Sequence, residues 1–219
     1  MECLSKIYIQ KGYEGGPNMF VDCGKCEPCR KKRASEWALR LRTEKKHAEN
    51  AFFITLTYDQ ESVPVTFDRE TGELLSYDLK KKDLQNWVKR MRSRKDRIKQ
   101  RDFKPTGAMF ADTRYFGIGE YGGIFGRPHY HILLFNYPGE FIFKHTQGAW
   151  AKGRVHIGEV TDQSIMYVAN YCMKDENFLI VSKGYTKKDK EGNVIKKIGG
   201  IGYQYAEDMG NRIVTGKHT

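Results

Sequence analysis

A chain of 219 residues, 39% hydrophobic and 13% aromatic, is long enough for one well-buried domain and too apolar to be disordered throughout. Its 38 Lys and Arg against 27 Asp and Glu leave a formal charge of +11, which points to a polyanionic partner, nucleic acid before an anionic membrane. No run of about 18 apolar residues and no charged–apolar–small leader pattern occurs, so the membrane reading falls away, and five cysteines argue against a disulfide framework.

The first 22 residues offer a short strand at Lys6–Gln10 and a Gly-rich loop from Gly12 to Asn18. Cys23-Gly24-Lys25-Cys26-Glu27-Pro28-Cys29 follows, a Cys-x-x-Cys-x-x-Cys knuckle. Two-residue spacing lets successive sulfurs converge on one tetrahedral metal, with Cys3 as the candidate fourth ligand of a structural zinc. Reduced thiols without metal, or a redox pair, are the alternatives. From Arg30 to about Asn50, Ala34, Trp37, Ala38 and Leu41 recur at helical steps, while Arg30, Lys31, Lys32, Arg33, Arg40 and Arg42 make the rest basic. That surface is either a solvated face or a phosphate-contacting one.

Ala51–Tyr58, apolar and β-branched, reads as a central strand. Val63–Leu75, broken at Glu70-Thr71-Gly72-Glu73, reads as an exposed hairpin, and Leu79–Lys99 as a helix whose stripe of Leu79, Leu84, Trp87, Val88 and Met91 enters the core. A third strand is expected over Met109–Gly119, ended by Glu120-Tyr121-Gly122-Gly123.

After Gly126 and Pro128 comes His129-Tyr130-His131-Ile132-Leu133-Leu134-Phe135. In a strand, residues two apart share a face, so His129 and His131 stand side by side with Tyr130 opposite. Two adjacent imidazoles suit a divalent metal. If the two strands are antiparallel neighbours, Glu120 returns beside them and completes a two-His, one-acid site with positions open to substrate. The bland alternative has one packed and one solvated histidine, with Glu120 a turn acid in water. Arg127, in the turn before the pair, is a candidate DNA contact, as are Arg30, Lys31, Lys32 and Arg33.

The segment from Pro138 to Trp150 suits a helix, and Arg154–Val160 a fourth strand, with His156 structural or solvated. Thr161 or Asp162 can cap a helix from Gln163 to about Lys174. Tyr167, Tyr171 and Lys174 fall on one face, while Ile165, Val168, Ala169 and Cys172 supply the buried side. A phenolate can attack phosphorus while a metal activates the diester and Lys174 offsets charge; two half-buried tyrosines anchoring a helix are the alternative. Beyond Asp175 the chain is basic and Gly-rich, with a hairpin around Glu191-Gly192-Asn193. A phosphate-loop reading of Gly210–Thr219 fails on spacing and on His218, and neither a helicase nor an ATPase module is expected.

The order of these pieces is more informative than any one of them. The strand Phe53–Tyr58, then Glu120 with His129-Tyr130-His131, then Tyr167-x-x-x-Tyr171-x-x-Lys174 resembles the HUH superfamily of single-strand DNA endonucleases. The two tyrosines are similar to those of the rolling-circle initiators of microviruses, and the cysteine knuckle before a Trp- and Arg-bearing helix looks like the gokushovirus branch. The resemblance covers roughly Cys23 to Lys174. It implies an α+β domain over residues 1–219, an antiparallel sheet flanked by helices, with a Cys-rich subregion at 1–30 and a basic extension at 175–219. It also implies Mg²⁺ or Mn²⁺ on His129, His131 and Glu120, and tyrosine attack giving a 5′-phosphotyrosine and a 3′-hydroxyl primer. The expected partners are single-stranded origin DNA and host helicase or polymerase, in the cytoplasm of a bacterial host. Rival readings are an HUH transposase or relaxase, and a zinc-stapled nucleic-acid-binding protein without catalysis.

Overall fold

The computed structural model describes residues 2–9, 19–99, 111–123, 125–171, 178–189 and 191–215. Its centre is a five-stranded antiparallel sheet built from β3 (Ala51–Thr57), β6 (Arg114–Tyr121), β7 (Pro128–Phe135), β8 (Val155–Glu159) and β9 (Phe178–Val181), in the order β8-β3-β7-β6-β9. Strict alternation along β7 feeds two cores. Tyr130, Ile132 and Leu134 join Ile54 and Leu56 on one face, while Leu133 and Phe135 join Phe116 and Ile118 on the other.

Two helices cover each face. On the Tyr130 face lie α2 (Lys81–Lys99) and α3 (Gly139–Trp150). The α2 stripe of Leu84, Trp87, Val88 and Met91 is buried, as the three- and four-residue spacing predicts. Full burial of a side chain such as Leu84 or Met91 contributes roughly 1.5–3 kcal/mol. On the histidine face lie α1 (Glu27–His47), through Ala38 and Leu41, and α4 (Asp162–Tyr171), through Ile165, Val168 and Ala169.

Three two-stranded hairpins stand outside the sheet: β1 (Ile7–Ile9) with β2 (Met19–Val21), β4 (Val65–Phe67) with β5 (Leu74–Tyr77), and β10 (Tyr185–Lys188) with β11 (Val194–Ile198). A last helix, α5, spans Tyr203–Thr215. At Gly153 the chain runs hard against the end of β3. Its φ is +148°, and a Cβ there would lie 2.2 Å from the Thr57 carbonyl oxygen, so only glycine lets β8 dock on β3.

The α+β class, the antiparallel sheet and its flanking helices are as expected. Two expectations need correction. The third strand begins at Arg114 and runs through Glu120 to Tyr121, so Glu120 is a strand residue, 1% exposed, and not a turn acid; Met109 and Phe110 lie outside the described residues. The segment read as a basic extension supplies β9, an edge of the central sheet, and α5, with Ile198 and Ile201 buried. The Gly12–Asn18 loop and the Gly216–His218 segment lie outside the described residues.

Candidate active site

The sheet register assembles the site. Glu120 on β6 lies directly across from His129 on β7, and on the other side of β7 Thr55 and Thr57 of β3 face His131 and His129. One ligand atom from each of Glu120, His129 and His131 falls within 4.8 Å of the others. Both imidazole Nε2 atoms point at Glu120 Oε1, at 2.7 Å from His129 and 2.9 Å from His131.

The opposite ring nitrogens are anchored from behind. His129 Nδ1 sits 3.2 Å from the Arg127 carbonyl, which also accepts the Gly122 N–H that closes the β6–β7 turn. A carbonyl can only accept, so Nδ1 of His129 carries the hydrogen, and in a neutral ring Nε2 is left as a bare lone pair. His131 Nδ1 meets the Thr55 hydroxyl at 3.0 Å, and its ring lies nearly parallel to Phe53, centroids 5.4 Å apart. Anchors of this kind set the tautomer and plane of metal-binding histidines.

A lone pair on His129 Nε2 facing a carboxylate oxygen calls for a cation between them, either a proton on the ring or a metal ion. Burial pushes the Glu120 carboxyl up, but the hydrogen bonds from His129 and His131 outweigh it and hold the group down at about 2. Burial likewise lowers His129, yet contact with Glu120 and with the Arg127 carbonyl leaves it raised above its ordinary value. The second Glu120 oxygen, Oε2, is buried with no hydrogen-bond partner, a free acceptor that suits a ligand. The donor set therefore fits a hard or borderline divalent cation.

Tyr167 reaches the same carboxylate from α4. Its hydroxyl donates to Glu120 Oε1 at 2.9 Å, and its ring meets His131 edge-on, centroids 5.2 Å apart. One turn on, the Tyr171 ring lies 4.7 Å from that of Tyr167. Burial, then Tyr171 and the Glu120 carboxylate, raise the Tyr167 phenol well above its usual range. Ile165, Val168 and Ala169 fix the opposite side of the helix in the core, so the tyrosine face is presented to the sheet. Cys172 and Lys174 lie outside the described residues.

The basic candidates are spread more widely. Arg127 binds the Gln60 side chain and the Tyr58 carbonyl, beside the β6–β7 turn. Arg30 and Arg33 donate to the carbonyls of Lys25 and Gly24, Lys31 pairs with Glu27, and Lys32 with Asp22. These four clasp the cysteine knuckle. His156 is exposed on edge strand β8, paired with Thr55 in register. Sequence reasoning missed Thr55 and Phe53 as supports for His131. A hydroxyl among the apolar residues of β3 was the available signal, but only the strand register says which histidine it meets.

The fold and site define an α+β protein with a carboxylate–dihistidine centre and a tyrosine-bearing helix aimed into it. Residues 51–176 match the replication-associated protein ORF2 family, and the chain belongs to that family. It is 30% identical to replication-associated protein VP4 of Bdellovibrio phage phiMH2K, over 69% of this chain and 47% of that one. It is 27% identical to replication-associated protein ORF2 of Spiroplasma virus 4, over 90% of this chain and 60% of the relative. Against replication-associated protein ORF4 of Chlamydia phage 1 it is 27% identical, over 70% and 38%. The chain thus spans about half the length of these relatives. No solved structure matches it. The expected likeness to phage replication proteins is borne out. Among the described residues, no helix is long and apolar enough to cross a membrane.

Proposed function

We propose that the protein is an HUH-type replication initiator that nicks single-stranded DNA at an origin and rejoins ends during rolling-circle replication. The observation that carries this reading is the Tyr167 hydroxyl resting on Glu120 Oε1, the oxygen on which both histidine Nε2 atoms converge. A nucleophile and a metal-binding donor set share one point, as phosphodiester cleavage by covalent catalysis requires.

Glu120, His129 and His131 would hold Mg²⁺ or Mn²⁺, which when bound neutralises charge on the scissile phosphate. The chain's own groups do the rest. Thr55, Phe53 and the Arg127 carbonyl keep the imidazoles oriented. Tyr167 Oη attacks phosphorus; the Oη–P bond forms, the bond from phosphorus to the 3′ oxygen breaks, and the proton given up by the phenol is balanced by the one on the released 3′-hydroxyl. The 5′ end stays as a phosphotyrosine. Tyr171, one helical turn away, is the second nucleophile that cleaves the regenerated origin while Tyr167 holds the old end. Lys174 is assigned to the phosphate's charge. The +11 surface supplies affinity for DNA, and host helicase and polymerase extend the primer in the bacterial cytoplasm.

The test is cleavage of end-labelled single-stranded oligonucleotides with Mn²⁺, read on denaturing gels for wild type, Tyr167→Phe, Tyr171→Phe and the double variant. A metal-dependent covalent adduct that is reduced in Tyr167→Phe and abolished in the double variant supports the reading. Salt-sensitive binding without any adduct from wild type would replace it with a non-catalytic nucleic-acid-binding protein.

A further inference from the structure

We infer that Cys3, Cys23, Cys26 and Cys29 hold one structural Zn²⁺ in a closed four-sulfur site, separate from the carboxylate–dihistidine centre. Their sulfurs come together from two stretches of chain and all lie within 4.8 Å of one another. The separations are 3.4 Å for Cys26–Cys29, 3.8 Å for Cys26–Cys3 and 3.9 Å for Cys23–Cys29. A tetrahedron with zinc–sulfur bonds of about 2.3 Å has edges of about 3.8 Å, so the observed spacing is that of a filled coordination shell. A disulfide needs sulfurs about 2 Å apart, and all four cysteines are free.

The backbone is arranged for thiolates. The N–H groups of Lys25 and Cys26 point at Cys23 Sγ, at 3.5 and 3.3 Å, and the N–H of Cys23 points at Cys3 Sγ at 3.3 Å. Cys26 is the N-cap of α1 and Cys29 lies in its first turn, where the helix dipole favours negative charge. Gly24 makes the tight turn between the first two ligands with φ +73°, and a Cβ there would press on the Arg33 guanidinium at 3.2 Å. Arg30 and Arg33 close the knuckle from outside through the Lys25 and Gly24 carbonyls.

The region also needs such a centre. β1 and β2 are three residues each, and their side chains are largely exposed, Ile7 at 51% and Phe20 at 67%. An isolated pair of strands this short is marginal in water, and small subregions without a core are commonly held by a metal. Four soft thiolates select zinc over Mg²⁺ or Mn²⁺, and four protein ligands leave no position for substrate.

The test is metal content of the full chain, purified with a thiol reductant and dialysed against EDTA. About one zinc per chain is expected in wild type and in the His129→Ala/His131→Ala double variant, and near none in Cys26→Ser. Cobalt substitution of wild type should give thiolate-to-cobalt charge-transfer absorption and tetrahedral d–d bands, a readout that does not depend on any variant folding. Cys3→Ser should weaken that absorption, and mercurial titration of wild type should release the zinc and expose residues 2–22 to protease. Absence of both zinc and the cobalt–thiolate spectrum in wild type would overturn the inference. Zinc lost with the histidines, or a cobalt spectrum unchanged in Cys3→Ser, would do the same.

Discussion

Tyr167 and Glu120 are separated by 47 residues, yet the phenol of one donates to a buried carboxylate oxygen of the other at 2.9 Å. The contact joins α4 to β6 at the point where both histidines converge. Replacing the carboxylate by an amide keeps its shape but removes the charge and one anionic ligand. Glu120→Gln is expected to lower cleavage by roughly a hundred- to a thousandfold, while leaving affinity for single-stranded DNA nearly unchanged. Single-turnover cleavage and fluorescence anisotropy on the same oligonucleotide separate the two. Equal losses in both would mean that Glu120 serves binding or folding instead.

Thr55 touches the metal-binding set only through His131 Nδ1. Thr55→Val removes that hydroxyl at nearly constant volume and releases the ring from one of its two supports, Phe53 being the other. Loss of such a supporting partner costs about 10–100-fold in metal affinity. Mn²⁺ titration followed by electron paramagnetic resonance should show a loss in that range for Thr55→Val and recovery in Thr55→Ser. An unchanged affinity in the valine variant would assign Thr55 to sheet packing alone.

The pH dependence of stability without metal follows from two groups of opposite sign, which face each other and, for Glu120, also His131 and Tyr167. Glu120 is depressed from 4.5 to about 2, so its contribution is present above pH 4.5 and is lost as pH falls through about 2. His129 is raised above 6.5, so its contribution is complete below pH 6.5 and is lost as pH rises through the raised value. The EDTA-treated protein should therefore melt highest between pH 4.5 and 6.5. A divalent ion replaces the imidazolium proton, so Mn²⁺ should raise the melting temperature more at about pH 8 than at about pH 5. Melting curves across that range decide it, and a metal effect independent of pH would count against shared occupancy by ion and proton.

Much of this was legible in the sequence, because period-two and period-3.6 patterns carry their own geometry. The alternation around Tyr130 placed His129 and His131 on one face, and the stripe of Leu84, Trp87, Val88 and Met91 marked a buried helix side. What the pattern lacked was register. Glu120 reads as a turn residue because Gly122 and Gly123 follow it, and only pairing with His129 makes it a buried strand residue. The strand β9 is four residues long, and α5 carries Gly210 inside it, so neither stands out locally. Glu44 is hidden for another reason. It continues the spacing of Ala34, Ala38 and Leu41 on α1, where an apolar residue would be expected, and its partner Arg114 is 70 residues away.

That pair carries the last prediction. Arg114 Nε and one terminal nitrogen grip the two Glu44 oxygens, the latter at 3.0 Å, and Glu44 Oε2 also accepts the Gly202 N–H at 2.8 Å. Arg114 in turn donates to the Gly199 carbonyl at 2.9 Å. The two side chains, 2% and 7% exposed, thus tie α1, β6 and the 199–202 turn at a distance from the candidate active site. Desolvating two charges cancels most of their attraction, but removing one partner strands the other in a site without water. Glu44→Ala should therefore cost about 3–5 kcal/mol in urea unfolding. Glu44→Met with Arg114→Met should recover most of that loss, because no buried charge is left unpaired. A cost under about 1 kcal/mol for Glu44→Ala would mean that water reaches the guanidinium and that the pair does not hold the three elements together.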